Sequence, residues 1–279
     1  MSCAHDALAL VDQLAALGPL PQVKALHLPP PPAPGAMRGE FAALELDDGS
    51  IGLSYVLLGD TWAGLRRERE RMDLAGADAL SLARLYAGGN PLLRTLGFAA
   101  LNALTRHLFD RAGFVPPPSG DSLGALDPQP GETVGMIGYF TPLVPRIVER
   151  GARVLVVELR ADLVGEREGV RVTLDAAELA GCAKVLSTGT LLLNDTLDHM
   201  LTHCRGARAL ALVGPSVGCP PDPLFARGVT QLGGSWITDA AGYVRALVDG
   251  ASTGAMARKF TLAPGDYPGW SALLARARS

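Results

Sequence analysis

Apolar residues at helical spacing open the chain in HDALALVDQLAAL, residues 5–17, and the short run QVKALHL, residues 22–28, predicts a first strand. A Pro-rich connector, Pro29 to Pro34, follows. Two apolar-polar runs in FAALELDDGSIGLSYVLLG flank Asp47-Asp48-Gly49-Ser50, a pattern that predicts a β-hairpin. Helices are expected over Ala77 to Tyr86 and Leu92 to Arg111, the second ending at Gly113. Strands followed by helices give this half an α+β pattern.

Residues 115–132, rich in Pro, Gly and Ser, have the composition of a linker. Beyond them strands and helices alternate. The runs TVGMIGY, RVLVVEL, AKVLST, ALALVGPS and GGSWITD read as buried strands, with VRVTL as a minor one. Helices are expected near Pro142 to Arg150, Leu191 to Cys204, Pro223 to Arg227 and Ala240 to Val248. Continuous apolar strands alternating with helices predict a parallel sheet covered on both faces, a doubly wound Rossmann-like fold in an α/β protein.

Open α/β sheets bind ligands at the carboxyl ends of their strands. Those ends carry Gly138-Tyr139, Glu158, Ser187-Thr188-Gly189-Thr190, Gly214-Pro215-Ser216 and Asp239, all but Tyr139 small, hydroxylic or acidic. Thr190 and Asn194 flank the start of the next predicted helix. Glu158 follows Gly138 at the distance of a ribose-binding acid, but Gly135 and Gly138 lack the third glycine of the dinucleotide fingerprint. Each residue also has a plain structural use, in a helix cap or at a solvated strand end. The turn Gly135 to Leu143 is expected to form one wall of an interdomain pocket, giving backbone donors, with Tyr139 and Phe140 as apolar lining.

With 48% hydrophobic and 19% charged residues among 279, a sizeable core is available. The net charge of −3 and the scattered basic residues give no footprint for nucleic acid or an anionic membrane. Arg66 to Arg71 alternates in sign and reads as a solvated helix face. No apolar run is long enough to span a membrane, and a cytoplasmic protein is expected. Cys3, Cys182, Cys204 and Cys219 form no C-x-x-C pair, which fits reduced thiols. His199 and His203 share a helix face near Asp195 and Asp198, a spacing that suits either a divalent ion or solvent. His5, His27 and His107 read as ordinary histidines.

The ordered motifs IGYFTPL, VELR, STGTLLLNDTLDHML, VGPSVGCPPDPLFARGV and LGGSWITD, with LGFAALNAL before them, resemble a bacterial and archaeal domain-of-unknown-function family to which heavy-metal chelation has been ascribed. The resemblance implies an enolase-N-terminal-like α+β domain over residues 1–114, a linker over 115–132 and a Rossmann-like domain over 133–279, with a site in the cleft between them. It carries over Asn102, Gly138, Phe140, Pro142, Glu158, Thr188, Gly189, Thr190, Asn194, Gly214, Pro215, Ser216 and Asp239 as ligand-binding positions. Val217-Gly218-Cys219 departs from the family pattern and sets a thiol beside the site.

Three readings follow. In the first, the cleft binds a metal ion, a metal complex or a small anionic metabolite, with Glu158, Asp239 and Cys219 as metal ligands and a divalent or heavy metal ion as the cofactor. In the second, Glu158 or Asp239 is a general acid or base on a carboxylated or phosphorylated metabolite that Asn102 and Asn194 orient. In the third, the chain serves as a homo-oligomer.

Overall fold

The computed structural model describes residues 2–31, 40–119, 123 and 126–278, so Pro32 to Pro34 of the connector and part of the linker lie outside the described residues. A small antiparallel sheet is built from β1 (Val23–His27), β2 (Phe41–Leu46) and β3 (Ile51–Tyr55), in that order. The β2–β3 turn closes as its sequence predicts: Asp48 Oδ1 accepts the Ser50 N–H at 2.9 Å, and Gly49 takes φ +87°.

Helix α4 (Pro91–Arg111) lies across one face of this sheet. Asn90 caps it, its Oδ1 accepting from Leu92 N and Leu93 N, and proline occupies the first turn, where its missing N–H costs nothing. Every residue from Thr95 to Thr105 is buried, because α4 is surrounded by β3, by α1 (Cys3–Val11), by α3 (Ala79–Arg84) and by α9 (Trp270–Ala277). Ala42, Leu44 and Leu46 of β2 join this main core, while Ala43, Ile51 and Leu53 pack on Tyr243 and Leu247 of α8 (Ala240–Val248). With both faces covered, the hairpin strands are buried nearly throughout.

The large sheet has the order β11-β10-β9-β8-β4-β5-β7-β6. Six strands run parallel: β10 (Gln231–Ile237), β9 (Ala209–Val213), β8 (Lys184–Thr188), β4 (Thr133–Ile137), β5 (Arg153–Val157) and β7 (Val170–Thr173). Antiparallel β11 (Ala257–Leu262) and β6 (Gly165–Arg167) close its two edges. The chain is thus mixed α/β with a large, mainly parallel sheet. Met136, Val154, Val156 and Leu186 pack on α5 (Val144–Val148), whereas Ile137, Leu155, Val157 and Val185 enter the main core on the other side. From β4 the chain adds β5 and β7 on one side, then returns to add β8, β9 and β10 on the other. The reversal lies between the ends of β4 and β8, where such sheets take ligands.

Several local expectations are corrected. The helix expected over Pro142 to Arg150 shrinks to α5, and Gly151 ends the following turn at φ +78°. The helix expected over Leu191 to Cys204 is broken. A 3-10 turn covers Gly189–Leu192, and α6 (Leu197–His203) starts only after Asp195 has taken φ +63° and Asn194 Oδ1 has accepted both N–H and hydroxyl of Thr196. Asn and Asp tolerate that left-handed step and compete with the helix for hydrogen bonds. Strand β11 and helix α9 were not foreseen. Within the stretch expected to be a linker, Leu123 and Leu126 are fully buried against β4 and β5.

Glu132, at the end of that stretch, is also held by charge. Glu132 accepts from Lys184 Nζ at 2.7 Å, from Gln129 N at 2.9 Å and from the Arg208 guanidinium. These donors, the Lys184 ammonium foremost, pull the Glu132 carboxyl down to about 2. Its stabilising contribution is therefore complete above the ordinary glutamate value of about 4.3 and is lost as pH falls through the folded-state value. Urea unfolding at pH 5 and pH 3 should show a smaller loss on acidification in Glu132→Gln than in wild type.

Candidate functional site

A cavity of about 1050 Å³ opens at the carboxyl ends of β4, β8 and β9 and is closed from the other side by the small sheet. The large sheet gives it Phe140, Pro142, Thr188, Gly189, Thr190, Gly214, Pro215 and Ser216, and the small sheet and its flank give Glu40, Phe41, Tyr55, Pro30 and Pro31. Eight of the positions carried over from the sequence therefore meet in one place.

The turns are shaped for close approach. Gly138 sits at φ +82°, and a Cβ there would lie 3.1 Å from Thr188 Cγ2. A Cβ on Gly189 would lie 2.5 Å from Val217 Cγ2, so the end of β8 packs against the loop after β9 as glycine. Thr188 Oγ1 accepts from both N–H and hydroxyl of Thr190, at 3.3 and 3.2 Å, fixing the 3-10 turn at the cavity wall.

Other expected residues face elsewhere. Glu158 stands at the end of β5, but its two oxygens accept the backbone N–H groups of Tyr139 at 2.8 Å and Leu159 at 2.9 Å. It braces the opening turn from behind. The Tyr139 amide is thereby used, and those of Thr141 and Leu143 bond within the turn, so this wall offers apolar contact in place of the expected backbone donors. Phe140 lines the cavity, whereas Tyr139 faces a separate surface pocket beside Val144 and Val148. Asp239 is exposed and caps α8, its Oδ1 accepting from Gly242 N at 2.9 Å. Asn194 is spent in its own turn. Asn102 is buried beneath the cavity, donating to Leu53 O and Ser216 O.

The metal set Glu158, Asp239 and Cys219 is not brought together. Cys219 is buried in the main core, and burial pushes its thiol far above the ordinary range, which disfavours the thiolate that a metal requires. Cys3 and Cys204 are likewise raised by burial, to about 12 and about 11. The rings of His199 and His203 lie 5.0 Å apart, but Asp198 is engaged by Arg227 and the Cys3 N–H, and Asp195 pairs with Arg94. Among the described residues no group of three or more His, Cys, Asp or Glu side chains is arranged to hold a metal. The donors present therefore do not fit a bare ion. His5, His27 and His107 bond to Ser2, Glu45 and Asp48.

Sequence reasoning missed Ser235, Arg258 and Lys259, which β10 and β11 bring to the cavity wall. Arg258 donates from Nη2 to Pro116 O at 2.8 Å, and its guanidinium carbon lies 6.0 Å from the Trp236 ring centroid. Its only sequence signal was the alternation in ARKFTL.

A family model described as "Putative heavy-metal chelation", DUF364, matches residues 121–263, half of the chain. The chain belongs to the DUF364 family. A companion model, DUF4213, with the same description, matches residues 38–105. An uncharacterised protein of Methanocaldococcus jannaschii is 28% identical over 151 residues, which are 52% of this chain and 55% of that one. The chain thus spans about half the length of that curated relative. Two crystal structures of DUF364 proteins of unknown function share the fold. The one from Desulfitobacterium hafniense is 18% identical, with TM-score 0.66 over 94% of this chain and 98% of its own. The one from Pyrococcus horikoshii is also 18% identical, with TM-score 0.66 over 92% and 99%. No helix among the described residues of this DUF364 chain is long and apolar enough to cross a membrane.

Proposed function

We propose that the cavity binds a small anionic organic ligand, and that a heavy metal ion enters it as cargo already held by such a ligand. The carrying observation is the composition of the wall: hydroxyls of Thr188, Thr190, Ser216 and Ser235 and the cations Arg258 and Lys259, against the single carboxylate, Glu40, among the described residues that line it. Such a wall favours an anion, and the apolar flank of Phe41, Tyr55, Phe140 and Pro142 suits an organic body. The family's ascribed role then becomes chelation by the ligand, with the protein recognising the complex. In this reading the small sheet with its helices is an enolase-N-terminal-like domain, the large sheet is a Rossmann-like domain, and the cleft between them is the binding site.

Calorimetric titration tests it with three probes: nickel chloride, citrate and nickel citrate. Saturable heat is expected with citrate or its nickel complex and not with the free metal. Arg258→Met should weaken binding about tenfold or more, the scale of a charge-assisted hydrogen bond. Stoichiometric binding of free nickel that is lost in Glu158→Ala or Asp239→Ala would replace this reading with direct chelation by the protein.

A further inference from the structure

Behind Pro215, Ser216 and Ser235, which it shares with the main cavity, lies an annex of about 40 Å³. That is room for one small group. Asn102, only 4% exposed, forms part of its wall. The Asn102 Nδ2 donates to Leu53 O at 2.7 Å and to Ser216 O at 2.9 Å. These two carbonyls fix the amide orientation, because an oxygen in that place would face two acceptors. The Oδ1 is left buried with no hydrogen-bond partner among the described residues. Its neighbour in the annex wall is Gly218, on which a Cβ would stand 3.9 Å from that oxygen.

A second orphan belongs to a residue of the main cavity. Arg258 lines the main cavity and bonds through Nη2 to Pro116, itself part of the annex wall, while its Nη1 is buried without a partner among the described residues. An unpaired acceptor on a residue of the annex wall and an unpaired charged donor on a residue of the main cavity wall thus belong to two spaces that share Pro215, Ser216 and Ser235. Buried polar groups left unpaired cost free energy that a complementary ligand recovers.

We infer that Asn102 and Arg258 form a two-point subsite for a ligand that carries both a carboxylate and an N–H donor, as an N-acylated amino acid or an aminocarboxylate does. The carboxylate meets Arg258 and the N–H enters the annex to meet Asn102 Oδ1. The inference rests on the reading of the cavity as an anion site and adds which second group the ligand must present. Sites built to receive a donor discriminate strongly against an analogue that lacks it.

The test compares hippurate with benzoylglycolate, which share the aromatic body, the carboxylate and the charge but differ in an amide N–H replaced by an ester oxygen. Wild type is expected to bind hippurate at least tenfold more tightly by calorimetry. Gly218→Ala sets a methyl over Asn102 Oδ1 at ordinary contact distances of 3.7 to 3.9 Å from Asn102, without disturbing the Asn102 bonds. It should bring the two affinities within twofold, whereas Arg258→Met should weaken both alike. Equal binding of the two by wild type, or a preference that survives in Gly218→Ala, would overturn the annex while leaving the anion site standing. Binding of neither, in a protein that still binds citrate, would likewise overturn the two-point subsite and leave the anion site standing, whereas loss of citrate binding too would remove both. The wild-type comparison holds whether or not a variant folds.

Discussion

Gly52→Ala is expected to destabilise the protein by about 3 kcal/mol or more, at the upper end of overpacking penalties. Gly52 lies in β3 where α4 crosses it, and a Cβ there would overlap the backbone oxygen of Ala99 and the backbone nitrogen of Ala103. A flexible side chain could rotate away, but helix backbone cannot. Nor can the sheet retreat, since its other face is packed against α8 through Ile51, Leu53 and Tyr243. Gly181→Ala is the matched control, because nothing stands within 4 Å of its Cβ position, and it should fall within about 0.5 kcal/mol of wild type. Equilibrium urea unfolding of the three proteins decides the matter. A Gly52→Ala loss near that of the control would mean that α4 can slide over the sheet.

Phe98→Ala should cost about 3–5 kcal/mol, the range for emptying a buried aromatic site. Phe98 is wholly buried in α4, and its ring centroid lies 4.9 Å from that of Tyr86. The Tyr86 hydroxyl donates to Leu192 O at 2.7 Å, in the turn that begins with Gly189 and Thr190 at the cavity wall. Emptying the Phe98 site therefore removes packing behind the Gly189–Leu192 turn as well as from the core. The comparison is Leu93→Ala on the same helix, where the side chain is 36% exposed and a loss below about 1.5 kcal/mol is expected from the area involved. Chemical denaturation measures both. A Phe98→Ala loss no larger than that of Leu93→Ala would show that neighbouring side chains refill the site.

Much of the strand framework was legible because each strand is a short apolar run bounded by turn residues, and the hairpin announced itself through Asp-Gly. The hydroxyl and glycine turns at the ends of β4, β8 and β9 were legible for a related reason: the ends of parallel strands share one edge, so Gly138, Thr188 and Ser216 converge once the strands are in place. What was not legible is where a side chain turns after reaching that edge. Glu158 and Asp239 stand there, yet one is drawn to the amide of Tyr139, nineteen positions earlier, and the other caps its own helix. Local backbone donors hold both carboxylates, and strand order alone does not reveal them. Arg258 escaped because β11 is antiparallel and lies outside the strand-helix rhythm, while Leu197 to His203 looked continuous with Leu191 until Asp195 took its left-handed turn.

Helix α9 lies beside α4 and the 3-10 turn after α1, its Trp270 indole donating to Leu10 O at 2.9 Å and Arg111 reaching back to Ala277 O at 3.0 Å. During synthesis, then, the helices made first wait without their cover until Trp270, Leu273 and Leu274 have left the ribosome. Such long-range closure slows folding and prolongs the exposure of sticky surface. A nascent chain halted before Trp270 would be a natural client for chaperones.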